Sequence, residues 1–517
     1  MALNMQKNEV KKVVILGGGT AGWLSAGLIA AQPHLTHNAQ ITLIESPDIA
    51  TIGVGEGTWP TMRQTLKTIG ISESEFIQRC DASFKQGSRF DGWCDDEGDA
   101  HYYHPFSLPV AYQQLNIAPY WFANKDAVSF SHAVASQTYL CDHHKAPKNH
   151  LHSAYQGEAN YGYHLDAGKF AMLLQQHCTT KLNVEHIVSH VKCINSDEDG
   201  YISSLQTRDH GTIAGDLFID CSGTHAKLLH QHYGIELIEQ HDVLFNDRAV
   251  AVQVPYLNPQ QEVLSYTKAT AQDAGWIWDI GLQSRRGLGM VYSSRFANSE
   301  DAKQALSQYI AKTQPGTAQN ELIFREISFT PGYRRRFWYK NCLAIGMSAG
   351  FIEPLEASAL VMVELGLNNL LANFPTHRAA MPTLAKRFDE QCHYRWKRII
   401  EFLKLHYVLS KRTSPYWQAH KEANSIPLQL QENLALWQYQ SPWLNDFDRA
   451  QEVFSAASYQ YVLYGMKQLP QFPVLAMPTA IIEHFSANQQ QAKRGLQQLP
   501  TNRELLNHIQ QFGIQPI

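Results

Sequence analysis

Residues 13–16, VVIL, run straight into GGGTAGW, and this junction limits what the chain can fold into more than any other stretch. Such a β-branched and aliphatic run suits a strand buried on both faces of a parallel sheet. Gly17, Gly19 and Gly22 follow at GxGxxG spacing, and LSAGLIAAQ after them has the composition of a helix. Gly17 permits the tight turn, Gly19 lets main-chain N–H groups approach a pyrophosphate, and Gly22 lets helix pack on strand. Thr20 and Ala21 open that helix and join the same cofactor-binding set. A second apolar run, ITLI, ends at Glu45, placed to accept hydrogen bonds from a ribose. Glycines at this spacing are weak evidence alone; strand, glycines, helix, strand and terminal acid in order indicate a dinucleotide site.

Two later segments return to the same kind of strand. DLFIDCSG (216–223) closes on Asp220 and Gly223, and NCLAIGMSAG (341–350) runs through Met347 into glycine. A single NAD-binding half has no need of such distant returns. They suit a large α/β fold in which late segments come back to cover FAD. The expected architecture is a Rossmann-like FAD-binding fold with an inserted β-rich substrate region and a helical C-terminal part.

A chain of 517 residues is too long for one simple core, and 44% hydrophobic with 17% charged residues excludes a solvated, disordered chain. A net charge of −4 gives no electrostatic case for nucleic acid or an anionic membrane. The eight cysteines contain no CxxC and read as reduced thiols. No uncharged apolar stretch of about 18 residues occurs, so no membrane span is expected and the cytoplasm is the default location. The histidines of CDHHKAPKNHLHSAY (141–155) match no standard ligand spacing, so a polar loop and no metal site is expected. RRRFW (334–338) reads as a solvated charge cluster.

From about residue 380 the pattern turns helical. Phe388, Cys392, Trp396, Ile399 and Leu403 recur at three- and four-residue intervals. Another helix is expected over 448–469, and the Gln-rich end adds one or two exposed ones. The expected division is a core over 1–380 and a mainly helical part over 381–517, packed as one rigid body. Tyr459, Tyr461 and Tyr464 read as either pocket or core.

In this order the motifs GGGTAGW (17–23), IGVGEGTWP (52–60), SFKQGSRFDGW (83–93), YHPF (103–106), YHLDAGKF (163–170), WIWDIG (276–281) and AGFIEPLEAS (349–358) resemble those of the flavin-dependent halogenases, typified by tryptophan halogenases. The resemblance spans roughly residues 10–420. It implies a two-component enzyme that receives reduced FAD from a separate flavin reductase and uses O2 with chloride or bromide to make hypohalous acid. The oxidant then passes through an internal tunnel to an electron-rich aromatic ring, tryptophan or another indole-type substrate. By motif position it implies Lys85 as the amine that directs the oxidant and Glu356 as the carboxylate that assists substitution. It further implies the amides of Ser358 and Ala359 as halide donors, Gly55, Met347 and Leu360 at the flavin, and Trp276 with Trp278 as a wall between flavin and substrate. A homodimer is compatible with it.

The residues themselves agree less sharply. A lysine near buried apolar groups is costly without a partner or a shifted pKa, whereas an ordinary lysine is a solvated charge. Trp276 and Trp278 read alone are core residues of a strand. The sequence also departs from the family twice: Gly281 stands where the tryptophan signature has proline, and Ala357 stands where a serine commonly follows the glutamate. A flavin monooxygenase that inserts oxygen directly and a flavin-binding protein without turnover share this fold. Retention of Lys85, Glu356 and both tryptophans argues against each.

Overall fold

The computed structural model describes residues 8–48, 55–97, 100–449, 452–471 and 475–516. Residues 52–54 of the IGVGEGTWP motif and residues 450–451 of the helix expected over 448–469 lie outside these.

The VVIL run lies in the strand Lys12–Leu16, near the middle of a six-stranded sheet. Gln40–Glu45 pairs with it in parallel on one side and Leu217–Asp220 on the other. Cys342–Ala344 then pairs in parallel with Leu217–Asp220, so both late segments return to the sheet as expected. Glu185–Val188 closes one edge, and Trp338–Tyr339 closes the other as a short antiparallel hairpin. The helix Thr20–Ala30 follows the glycine turn and is apolar nearly all round, because sheet and neighbouring helices cover it on every side.

A second, seven-stranded sheet holds the β-rich insertion. Its order is Arg325–Ser328, Arg248–Pro255, Arg285–Tyr292, Gly275–Gly281, Thr267–Gln272, Gly87–Asp91 and His101–Pro105. All its pairings are antiparallel except that between Thr267–Gln272 and Gly87–Asp91. A small antiparallel sheet, Glu56–Gly57 with Gly162–Leu165 and Ser83–Lys85, lies beside it. The chain passes from the small sheet to the large one between Lys85 and Gly87. Gly87 makes that corner at φ +152°, where a Cβ would lie 2.5 Å from the His104 carbonyl oxygen, so only glycine fits.

The helix Met381–Val408 buries Phe388, Cys392, Trp396, Ile399 and Leu403 as their spacing requires. The helix expected over 448–469 is shorter, Ala456–Gly465, and is buried on every side. Its neighbours therefore leave no polar face for periodicity to reveal. The Gln-rich end forms Thr479–Gln498 and Asn502–Phe512, the latter with a capping box from Thr501 and Glu504. The RRRFW segment is not wholly a solvated cluster. Arg334 is buried and donates to the carbonyls of Ser348, Ile235 and Thr224, while Arg335 and Arg336 face outward. Leu355–Ala372 is apolar and long enough by composition to cross a membrane, but it is mostly buried within the protein. No group of three or more metal-ligating side chains occurs among the described residues.

Candidate active site

At the carboxyl edge of the six-stranded sheet a cavity of about 380 Å3 is lined by Gly17, Gly19, Thr20, Ala21, Glu45, Met347, Ser358, Ala359 and Leu360. The glycine turn is built for close approach. Gly17 has φ +119°, and a Cβ there would lie 2.2 Å from the Cys221 carbonyl oxygen. A Cβ on Gly18 would lie 1.5 Å from Glu45 Oε2, so the bare turn is what lets that carboxylate fold over it. His186 Nε2 holds Glu45 Oε1 at 2.6 Å. Gly22 does not line the cavity; it lets the helix close on the turn, where a Cβ would meet the Gly17 oxygen at 1.9 Å. Gly55 does not line it either and faces Ile280 and Gly287 of the large sheet. Open amides at the N-terminus of the 11-residue helix, an anchored acid at the strand end and an apolar wall of Met347 and Leu360 make a cradle that fits FAD.

Lys85 lies elsewhere, at the end of Ser83–Lys85, and is 1% exposed. Successive strand residues face opposite sides. Phe84 packs on Tyr161 and Tyr163, while Ser83 and Lys85 face the large sheet. Lys85 makes no hydrogen bond or ion pair among the described residues. Its ammonium lies 5.4 Å from the centre of the Phe106 ring. Burial pushes its pKa down from the usual 10.5 to about 8, and the Glu356 carboxylate only partly opposes this. Gly57 keeps the space beside the amine open: a Cβ there would lie 3.0 Å from Lys85 Nζ, 3.3 Å from Ala357 Cβ and 3.5 Å from Thr267 Oγ1.

Glu356 arrives on the segment between the last short strand and the helix Ser358–Ala372. It has φ 65°, and Ala357 has φ 55°. Two consecutive non-glycine residues in the left-handed region cost about 1–2 kcal/mol each. They are held there by the Trp59 indole donating to the Glu356 carbonyl at 2.8 Å and by the Ala357 N–H donating to the Pro354 carbonyl at 2.9 Å. The carboxylate is buried. His104 Nδ1 lies 2.7 Å from Oε1, and His406 Nε2 lies 3.5 Å from the same oxygen. Burial alone would raise this carboxyl strongly; the two imidazoles outweigh it and hold it well below the usual carboxylate range.

The reversal at Glu356 and Ala357 also starts the helix whose first residues, Ser358 and Ala359, line the same cavity at the sheet edge. No side chain caps that end, so its first-turn amides lack intrahelical partners. Trp276 and Trp278 share one face of Gly275–Gly281, both buried, with ring centres 6.4 Å apart. Trp276 Nε1 donates to Glu353 Oε2 at 2.8 Å, and that oxygen also accepts from Tyr407 and Asn246. The Trp278 ring fills the space left by Gly289, where a Cβ would lie 2.1 Å from it. Gly281 is close-packed between Val263 and Tyr256, and its carbonyl accepts from Ser83 Oγ at 2.5 Å.

Two sequence patterns place further residues at this site. In HYYHP the period of two puts Tyr102 and His104 on one strand face, and both reach the Glu356 cluster. On the helix Met381–Val408, Phe402 and His406 stand four apart and face the same cluster. Of Tyr459, Tyr461 and Tyr464, Tyr461 packs beside His104, whereas Tyr464 is core against Trp121 and Phe130, and Tyr459 is core against Trp437.

A family model described as Tryptophan halogenase matches residues 12–478. The chain is 32% identical to the tryptophan 7-halogenase RebH of Lentzea aerocolonigenes, over 98% of this chain and 99% of that one. It is 30% identical to the tryptophan 6-halogenase SttH of Streptomyces toxytricini, over 97% and 98% of the two. Among solved structures, a tryptophan halogenase from Shewanella frigidimarina NCIMB 400 superposes with a TM-score of 0.95 at 47% identity, covering 99% of this chain and 100% of the other.

Proposed function

Since the chain belongs to the tryptophan halogenase family of flavin-dependent halogenating enzymes, we propose that it halogenates the ring of an indole-type substrate, tryptophan among them, with Lys85 directing the oxidant and Glu356 assisting substitution. When bound, reduced FAD delivered by a separate reductase supplies hypohalous acid from O2 and chloride or bromide. Gly17 to Ala21 hold its pyrophosphate on main-chain amides, Glu45 accepts from its ribose, and Met347 and Leu360 pack against it. The Ser358 and Ala359 amides hold the halide at the start of their helix, where the helix dipole favours an anion. Trp276 and Trp278 keep the organic substrate from the flavin, so oxygen is not inserted directly.

On the substrate side the ring lies against Phe106 and within reach of Lys85 Nζ. With a pKa near 8 the amine is readily available either to donate a hydrogen bond to the oxidant or to take the halogen from it. The Glu356 carboxylate, ionised at any working pH, stabilises the ring cation and accepts its proton. The helical part after residue 380 contributes Phe402, His406 and Ser458 to this side. The observation that carries the reading is a fully buried lysine without an ion-pair partner, set beside a strained, ionised glutamate on the very segment that leads into the flavin cavity.

The test supplies FAD, a flavin reductase, NADH, air and bromide to the purified protein, with tryptophan and indole as substrates and mass spectrometry of the products. A bromine isotope doublet that is lost in Lys85→Ala is the expected result. A product heavier by one oxygen and lacking bromine would overturn it.

A further inference from the structure

Glu356 uses one oxygen for its partners and leaves the other open. Oε1 faces both His104 and His406, while Oε2 makes no hydrogen bond or ion pair among the described residues. The two histidines are not equivalent. His406 Nδ1 lies 2.6 Å from the hydroxyl of buried Tyr102, which has no other acceptor among the described residues and so donates there. That leaves the His406 proton on Nε2, facing the carboxylate, with burial disfavouring a second one. His104 has a different second partner. Its Nε2 lies 3.0 Å from Ser458 Oγ, and a serine hydroxyl turns to donate or accept. His104 alone can therefore gain or lose a proton without breaking a hydrogen bond.

We propose that His104 and Ser458 form a charge-compensating proton relay for Glu356, a step that rests on the halogenase reading above. In the resting site His104 carries protons on both nitrogens, donating to Glu356 Oε1 and to Ser458 Oγ. When the carbon–halogen bond has formed, the C–H bond breaks, its electron pair restores the aromatic ring, and the proton goes to Glu356 Oε2. His104 releases its Nε2 proton to Ser458, whose own proton passes on to solvent. The dyad keeps zero net charge throughout, so no new charge is stranded in a buried site. After product leaves, the carboxyl proton passes to water through the emptied cavity and His104 recovers a proton through Ser458. One proton is exported per turnover. His104 is thus a positioning and relay residue acting through Glu356.

The test measures turnover with substrate carrying deuterium or hydrogen at the halogenated carbon, in wild type, His104→Gln, His104→Phe and Ser458→Ala. Glutamine keeps a donor toward Glu356 but carries no proton onward; phenylalanine keeps a flat ring. Release of hypohalous acid to a small scavenger is followed in parallel. The relay predicts that His104→Gln and His104→Phe lose about 10- to 100-fold in kcat with scavenger halogenation unchanged. It also predicts a deuterium effect of about 2 or more where wild type shows none, with Ser458→Ala deviating in the same sense. His104→Gln turning over within twofold of wild type without an isotope effect would overturn it, as would full activity in His104→Phe. A wild-type protein that makes no halogenated product removes the halogenase reading itself, which separates that failure from failure of the relay alone.

Discussion

Replacing Lys85 by methionine is expected to make the protein more stable while abolishing directed halogenation. Met keeps an unbranched apolar chain against Phe106 and removes the charge. The fall in the Lys85 pKa from 10.5 to about 8, at about 1.4 kcal/mol per pH unit, puts the burden of the buried ammonium at about 3 kcal/mol. Glu356 is not orphaned by the change, since its two histidines remain. Unfolding entropy of about 2 cal/mol/K per residue makes 1 kcal/mol worth about 1 °C in a chain of 517 residues. The apoprotein of Lys85→Met is therefore expected to melt about 2–3 °C higher at pH 7. The sign with pH follows from the lowered folded-state value. Between about pH 8 and 10.5 the unfolded wild type holds a proton that the folded one has lost, so wild-type stability rises there relative to the variant. The gap in melting temperature is largest below pH 8 and closes toward pH 10.5. Calorimetry of both proteins across pH 6.5 to 10.5 reads this directly. A variant that melts at or below wild type at pH 7, or a gap independent of pH, would refute the reasoning and mean that Glu356 fully repays the buried charge.

Two further substitutions separate the flavin cradle from the tryptophan pair. Gly17→Ala forces a Cβ to 2.2 Å from the Cys221 carbonyl at a left-handed φ; the variant is expected to lose flavin binding in equilibrium dialysis while keeping its far-ultraviolet circular dichroism. Gly289→Ala drives a methyl into the Trp278 ring, which is expected to cost about 1–3 kcal/mol. It is also expected to raise the share of NADH lost to peroxide relative to halogenated product.

The first βαβ unit was readable because local chemistry dictates it. Strand, glycine turn, helix and acid are contiguous, and Gly17, Gly18 and Gly22 each answer to a contact that a Cβ would break. The return of residues 217–220 and 342–344 to the same sheet was also legible, since short apolar strands ending in glycine have few other places to go. The state of Lys85 was not. SFK alternates in a way compatible with a surface strand, and only the long-range approach of Ala357, Thr267 and Phe106 encloses the amine. The histidine pair on Glu356 escaped for the same reason: 252 residues separate His104 from Glu356, and no periodicity joins them. A run of arginines looks solvated, yet Arg334 satisfies carbonyls inside the fold, a role no local pattern marks. The helix near residue 456 lost its expected length because a helix covered on all sides has no amphipathic signature to mark its ends.

The two departures from the family pattern bear unequally on function, and the backbone explains why. Residues 347–360 run from the cavity at the sheet edge past Glu353, which holds Trp276, to Glu356 beside Lys85, and back to the cavity at Ser358. Returning within so few residues demands the left-handed pair at 356 and 357, so this segment is specified by its dihedrals and by Trp59, not by a side-chain hydroxyl. Ala357 offers only a Cβ near Gly57, and the amides of Ser358 and Ala359 are main-chain groups indifferent to what precedes them. Loss of the hydroxyl at 357 therefore leaves the proposed halide donors intact and changes only the surface presented beside Lys85. Gly281 differs: it sits in the strand that carries both tryptophans, and its carbonyl anchors Ser83, two residues from Lys85. A side chain introduced there meets Val263 and Tyr256 and reaches the tryptophan pair and the amine together, so coupling of oxidant to product is the property that Gly281→Pro should move, and flavin binding the one it should leave alone.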